Sequence, residues 1–535
     1  MVQNTSSKYD KTTLNIELFG IISLQDLPVI ELRNERFVRL TRLIVKRPDL
    51  FQRIIKELTC EGYVDLLSGD EDLQALSSVF GTERLDAIAF KNRSDGTILI
   101  PSLKYSSRSF IAKHLHGFLD LMTISVFLKK RSFPKPESFE KIAAGWGDPD
   151  EPNSTYDTAI VVWFLLDYIN TFGGHVKEVL ASNFKDSLAR GLTWLLLAQN
   201  TAQNIERWRK FENKEKLPYE DVFKLEDSLV EDSGWGAFKG ASSNIETTSI
   251  VTIVLCQTPL VNEIIVKDAI EYLINNIESF NGEYARCGNL IETAFANWAL
   301  SSYAVAVEDE YSTKTMLDYI SKLTRFLLSR QNIDRNVELK KKIFSEIYSE
   351  DPKLRPEPDG GWGSLSHEPS KPYSTAIVLC SLLSAIKCIA ELETGLSELA
   401  TDSIKRGVYF LLNRITNEKI WDKNPFVNGF CCISLLTLLQ MVREGLIKKD
   451  VLMQSYNDIE NCVINALSRN VKDCLNNPDL IFRARPIHSI GAAISILRFY
   501  DYYFIGPKDE ERAHEYIKEL VENAYKAAKD YQHGQ

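Results

Sequence analysis

Two short stretches bring together side chains that could move a proton. Asn289-Leu290-Ile291-Glu292-Thr293-Ala294 and Ser154-Thr155-Tyr156-Asp157-Thr158-Ala159 each put an acid directly before a Thr-Ala pair, and each opens an apolar run. A carboxylate at the start of a helix is stabilised by the helix dipole. The same group, if burial keeps it protonated, becomes a proton donor. Glu292 and Asp157 are therefore the candidate acids, with Asn289 beside the first. The residues just before them are unsuited to the task. Ile291 has no proton to give, and the phenol of Tyr156, with a reference pKa of about 10, is a far weaker acid.

Other catalytic vocabularies are missing. The sequence contains no P-loop, no GxSxG, no HExxH and no strand-linked GxGxxG. No CxxC pair occurs, and His114 and His116, two positions apart, would point to different faces of a helix. The acidic loop Asp148-Pro149-Asp150-Glu151-Pro152 has two prolines and no backing ligands, so it reads as a solvated loop. Neither a metal nor a cofactor is expected.

Composition narrows the partners. The 535 residues carry a formal net charge of −10, and short basic groups such as Lys340-Lys341-Lys342 read as solvated faces, so a nucleic-acid surface is not expected. The first residues are polar, without the apolar core of a secretory signal. No run reaches the ~18 apolar residues of a membrane span, so no transmembrane segment is expected. Nine cysteines, several in apolar runs, suit a reduced, cytoplasmic setting.

The elements that must position the acids announce themselves by repetition. Gly145-Trp146-Gly147 is followed by Asp157-Thr158-Ala159 and an apolar stretch from Ile160 to Leu166. Gly234-Trp235-Gly236 leads at the same spacing to Glu246-Thr247-Thr248, and Gly361-Trp362-Gly363 leads, one residue further on, to Ser374-Thr375-Ala376. Each unit reads as a tight loop, a polar helix start and a buried helix body. Two further segments share the helix start without the Gly-Trp-Gly loop: Ile291-Glu292-Thr293-Ala294, and Phe430-Cys431-Cys432-Ile433 after Trp421. Ile490-Gly491-Ala492-Ala493 opens another. Amphipathic segments ending in Ala198-Gln199-Asn200, Arg330-Gln331-Asn332 and Leu412-Asn413-Arg414 supply the second helix of each pair. An all-apolar helix alternating with an amphipathic one is what two concentric helical rings require. Stretches 207–232 and 334–358 interrupt the pairs as surface insertions.

A helix ending in Leu-Leu-x-x-Gln-Asn, a Gly-Trp-Gly loop and a Thr-Ala helix start resemble the repeat of squalene–hopene cyclases, class II diterpene cyclases and protein prenyltransferase β-subunits. The resemblance spans residues 141–500. It implies an all-α fold, an α/α toroid of helical hairpins arranged as two packed units. Residues 1–140 would form an N-terminal, mainly helical segment, 141–310 a first group of repeats and 311–535 a second. It further implies that Trp146, Trp235 and Trp362 are structural braces.

For activity, the resemblance implies protonation of an alkene or epoxide in an apolar cavity, through the family's DxDD signature before Thr-Ala. Here that signature is not intact, since Ile291 and Tyr156 stand where the donor is expected. The expected catalytic set is then Glu292, Asp157 and Asn289, with Tyr156, Trp163 and Trp298 facing a prenyl or polyisoprenoid ligand. Asn276, Ser279 and Glu283 match the second metal motif of class I terpene synthases, but Asn281-Gly282 would break the helix that aligns them. No DDxxD occurs. The zinc ligands of protein prenyltransferases are also missing, and His488, beside Arg485 and Pro486, is expected in a loop. The alternative is a non-catalytic toroid that binds a lipid or a protein partner in a multi-protein bacterial system, biosynthetic or defensive.

Overall fold

The computed structural model describes residues 142–148, 153–172, 178–212, 231–279, 289–307, 310–390, 393–416, 418–448, 456–476, 487–503 and 510–533, with isolated positions between 119 and 132. The N-terminal segment, the histidines near 115, the prolines of the acidic loop and the Asn281-Gly282 break lie outside the described residues.

Among the described residues the regular structure is helical, apart from a two-residue antiparallel pairing of β1 (Arg131–Ser132) with β2 (Ala144–Gly145). In chain order the helices are α1 (Thr155–Phe172), α2 (Glu178–Leu197), α3 (Ala202–Glu212), α4 (Ile245–Leu255), α5 (Ile264–Ser279), α6 (Leu290–Ala306) and α7 (Glu310–Ser329). They continue as α8 (Asp334–Ile343), α9 (Ser345–Glu350), α10 (Pro372–Ile389), α11 (Thr394–Arg414), α12 (Pro425–Arg443), α13 (Tyr456–Asn476), α14 (Ile487–Tyr503) and α15 (Glu510–His533).

Six of them form a closed circuit. α1 packs on α4, α4 on α6, α6 on α10, α10 on α12, α12 on α14, and α14 returns to α1. These six are apolar nearly all round and mostly buried. Outside them α2 covers α1, α5 covers α4, α7 covers α6, α11 covers α10, and α13 covers α12, while α15 lies against α2 and α1. A helix apolar on every side needs cover on both flanks, and closing the circle supplies it without leaving an edge. Repeats from both 141–310 and 311–535 contribute inner helices to this circuit. Two inner helices, α10 and α12, are long and apolar enough to cross a membrane, contrary to the expectation from apolar runs, but most of their surface is covered by their neighbours.

The Gly-Trp-Gly loops are equivalent corners of this ring. The buried indole N–H groups of Trp146, Trp235 and Trp362 donate to the carbonyls of Val126, Leu195 and Leu327, each at 2.8 Å. Two of the rings press against glycines of outer helices: a Cβ on Gly191 or Gly407 would stand 2.9 or 2.7 Å from Trp146 or Trp362. Gln199 and Gln331 each tie two carbonyls together, Ser233 with Ile265 and Gly360 with Ser403. Trp421 braces a fourth corner without flanking glycines, donating to the Leu411 carbonyl at 2.8 Å.

The insertions are partly regular. Residues 334–358 form α8, α9 and a short 3-10 turn, and α3 covers the start of the other insertion. The helices near the end begin earlier than their apolar words suggest, at Pro425 and Ile487, so His488 lies in the first turn of α14 and not in a loop.

Candidate functional site

A hydrogen bond sets the register of the inner helices. The backbone N–H of each corner tryptophan donates to a threonine in the first turn of the next inner helix: Trp146 to Thr158, Trp235 to Thr248 and Trp362 to Thr375, at 3.0, 2.9 and 3.0 Å. At the fourth corner Asn428 Oδ1 accepts from Trp421. Each of these residues also sends its amide back to the residue four earlier, Ser154, Asn244, Lys371 or Asn424, and Thr293 does the same to Asn289. Thr158, Thr248, Thr293, Thr375 and Asn428 are therefore equivalent.

Counting back two residues gives the rim of the ring: Tyr156, Glu246, Ile291, Tyr373 and Phe426. Counting back one gives Asp157, Thr247, Glu292, Ser374 and Val427. The rim residues converge. Tyr156 and Tyr373 come from helices α1 and α10, on opposite sides of the six-helix circuit, and their hydroxyls stand close enough to perturb each other. Burial pushes the Tyr156 phenol up, and Tyr373 and Glu246 add to the shift. Tyr373 in turn packs on Phe426 and Phe430, with ring centres 5.7 and 5.9 Å away.

Below the rim an aromatic plug fills the centre. Trp163 of α1 meets Trp298 of α6 edge to face at 5.7 Å and Phe430 of α12 at 6.3 Å, so three alternate helices of the circuit contribute one ring each. Phe295 stacks on Trp298 at 6.3 Å. Trp163 is 1% exposed and Trp298 9%.

Two carboxyls sit at the mouth. Burial raises Glu246 above the usual carboxylate range, and the nearby charge of Glu292 raises it further. Burial also raises Glu292, while a hydrogen bond with Asn289 opposes that shift. Asn289 caps α6, its Oδ1 accepting the amides of Ile291 and Glu292 at 3.1 and 3.2 Å. Asp157 is wholly buried, its amide bonded to Ser154 Oγ at 3.2 Å.

Of the residues expected at a site, Tyr156, Trp163 and Trp298 thus line the axis, and Glu292 lies at the mouth with Asn289 as its cap. Asp157 is enclosed below the rim. Glu246, a repeat residue in the sequence pattern, and Tyr373, which that pattern does not single out, join the site. The signal that finds Glu246 is the doubled threonine Thr247-Thr248: the second one makes the corner bond, which moves Glu246 into the place of Tyr156. Among the described residues no group of acids, histidines and cysteines could hold a metal ion.

No family model and no curated protein matches the chain. Among solved structures, one described as a polysaccharide lyase matches at a TM-score of 0.37 and 9% identity, over 66% of this chain and 92% of that one. At that score the likeness carries neither family nor activity. The helices form a toroid-like ring, and no comparison shows the cyclase and prenyltransferase family.

Proposed function

We propose that the ring takes an apolar, isoprenoid-like ligand at its aromatic mouth and transfers a proton to it. The observation that carries this reading is the pairing of raised carboxyls with a converging aromatic rim. A carboxyl held protonated can donate to an alkene or epoxide, and aromatic faces stabilise the cation that results. The seven described cysteines are unpaired thiols, which suits the reduced cytoplasmic setting proposed with it.

The second reading, a ring that binds a lipid or a protein partner without turnover, draws support from the plug, since Trp163 and Phe430 leave the ring centre filled. Incubating the protein with prenyl diphosphates and squalene-like lipids, followed by mass spectrometry of bound and free material, separates the two. New product supports the enzyme. Retained ligand without product supports the binding module, and retention of none overturns both lipid readings.

A further inference from the structure

We propose that Glu246 is the proton donor of the mouth, facing Tyr156 and Tyr373 on the ring axis, while Glu292 and Asp157 lie off it. This rests on the reading above and names its acid.

The geometry begins with the corner bond. Because Thr248, and not Thr247, receives the Trp235 amide, Glu246 occupies the rim register of Tyr156, Ile291, Tyr373 and Phe426. Every other member of that set is aromatic or aliphatic, so Glu246 is the one carboxyl in a ring of apolar side chains. It is partly exposed, as a donor in contact with a ligand must be. Asp157, one residue further along the register, is closed off completely.

The neighbours of the two glutamates differ in kind. Glu246 acts on Tyr156 of α1 and on Tyr373 of α10, which places it toward the axis. Glu292, in the register of the enclosed Asp157, acts on Glu246 and on Tyr272 of the outer helix α5. The charged and titratable groups facing Glu246 are thus Tyr156 from α1, Glu292 from α6 and Tyr373 from α10, with Tyr272 of α5 turned to Glu292. No cation is among these neighbours to stabilise the carboxylate, and burial with one like charge raises the pKa of Glu246.

The step is a simple transfer. The Glu246 O–H bond breaks as the π pair of the ligand's alkene takes the proton into a new C–H bond, leaving a carboxylate and a tertiary carbocation. The cation ends by losing a neighbouring proton to water or by adding water, and solvent returns a proton to Glu246. The Tyr156 phenol, on the same rim, stands close enough to Glu246 to feel its charge.

Two measurements test the assignment on the full chain. Dicyclohexylcarbodiimide, an apolar reagent that adds to protonated carboxyls, should label Glu246 at neutral pH, as located by peptide mass spectrometry, and a farnesyl lipid should protect it. An adduct on Glu292 or Asp157 instead, or none on Glu246, overturns the proposal. In D2O, Glu246→Gln should cut deuterium incorporation into the ligand by about 100-fold or more with ligand still bound, a larger loss than Glu292→Gln causes. The reverse order overturns it. A wild-type chain that binds lipid without incorporating deuterium removes the turnover reading, and the adduct map then decides alone where the neutral carboxyl sits. Circular dichroism of each variant confirms that the ring has folded.

Discussion

Asp167 on α1 and Arg498 on α14 meet at 3.2 Å, so one ion pair bridges the first and last inner helices where the ring closes. Asp167 is 5% exposed and Arg498 36%. Removing the cation takes a charged partner away from a buried carboxylate. For a fully buried pair that costs about 3–5 kcal/mol, and the partial exposure of Arg498 lowers it to roughly 2–3 kcal/mol for Arg498→Met. Urea unfolding should show the loss, and adding Asp167→Asn should recover part of it. A single variant as stable as wild type would mean that the seam is held by apolar packing alone.

The corner bonds make a second prediction. Thr248→Val keeps the side-chain shape but leaves the Trp235 amide without its acceptor, at a cost of about 1–3 kcal/mol. Trp362→Ala removes a wholly buried indole and should cost about 3–5 kcal/mol. Thermal unfolding should rank wild type above the threonine variant and that above the tryptophan variant. Equal losses would contradict the division of labour between brace and bond.

These corners also explain which features were legible in the sequence. Gly-Trp-Gly recurs because the indole must lie against a helix backbone, so the repeat and the ring could be read directly. Register could not. Trp146 and Thr158 are 12 residues apart but Trp235 and Thr248 are 13, and spacing alone aligns Glu246 with Asp157. The register of the Trp421 corner, with its helix start placed at Phe430, was hidden for a related reason: Asn428 does the work of the threonine, and no glycine marks the loop. Closure of the circuit into one ring depends on α14 meeting α1, a contact between residues far apart in the chain that no local pattern carries.

The raised carboxyls predict a pH effect with a definite sign. An acid whose pKa is higher in the folded than in the unfolded state binds more protons when folded, so stability is full below the unfolded pKa and falls as pH rises above it. Glu246→Gln and Glu292→Gln should each raise Tm at pH 7 relative to wild type, and the gain should vanish near pH 4. Calorimetry at the two pH values checks this. A Gln variant less stable than wild type at pH 7 would show that the ionised carboxyl is favoured at the mouth.

Lys340 titrates in the opposite sense. It is 1% exposed, its Nζ donates to Asn332 Oδ1 at 2.5 Å and to the Arg330 carbonyl at 2.8 Å, and it anchors α8 to the third corner. Burial, aided by Arg330 and opposed by Asp359, lowers its pKa to about 7. Between about 7 and the reference value near 10.4 the unfolded chain binds the extra proton, so this group makes stability rise with pH, by at most about 1.4 kcal/mol per unit. The difference in unfolding free energy between wild type and Lys340→Met should therefore grow from pH 7 to pH 9. A constant difference would show that the lysine stays charged when folded.

The tightest approach in the ring lies between α12 and α14, which share the most extensive packing of any two helices among the described residues. A Cβ added at Gly429 would stand 2.3 Å from the backbone carbon and 2.4 Å from the carbonyl oxygen of Gly491. Those atoms belong to a helix backbone and cannot swing aside as a side chain would. Gly429→Ala would gain about 1 kcal/mol from helix propensity if the site were open. Here the methyl must push α14 away from α12, and overpacking of this kind costs about 1–3 kcal/mol or more. The shift would also move Phe426, packed on Gly491, and with it the rim that faces Glu246. The expected outcome is a lowered Tm together with weaker retention of an apolar ligand. Gly445→Ala provides the control: no atom lies within 4 Å of its added Cβ, and its φ of +78° makes any loss one of backbone strain. That variant should lose stability and keep ligand retention. If Gly429→Ala instead stabilises the chain, the helices are further apart than 2.3 Å contacts allow, and the rim they support must be wider as well.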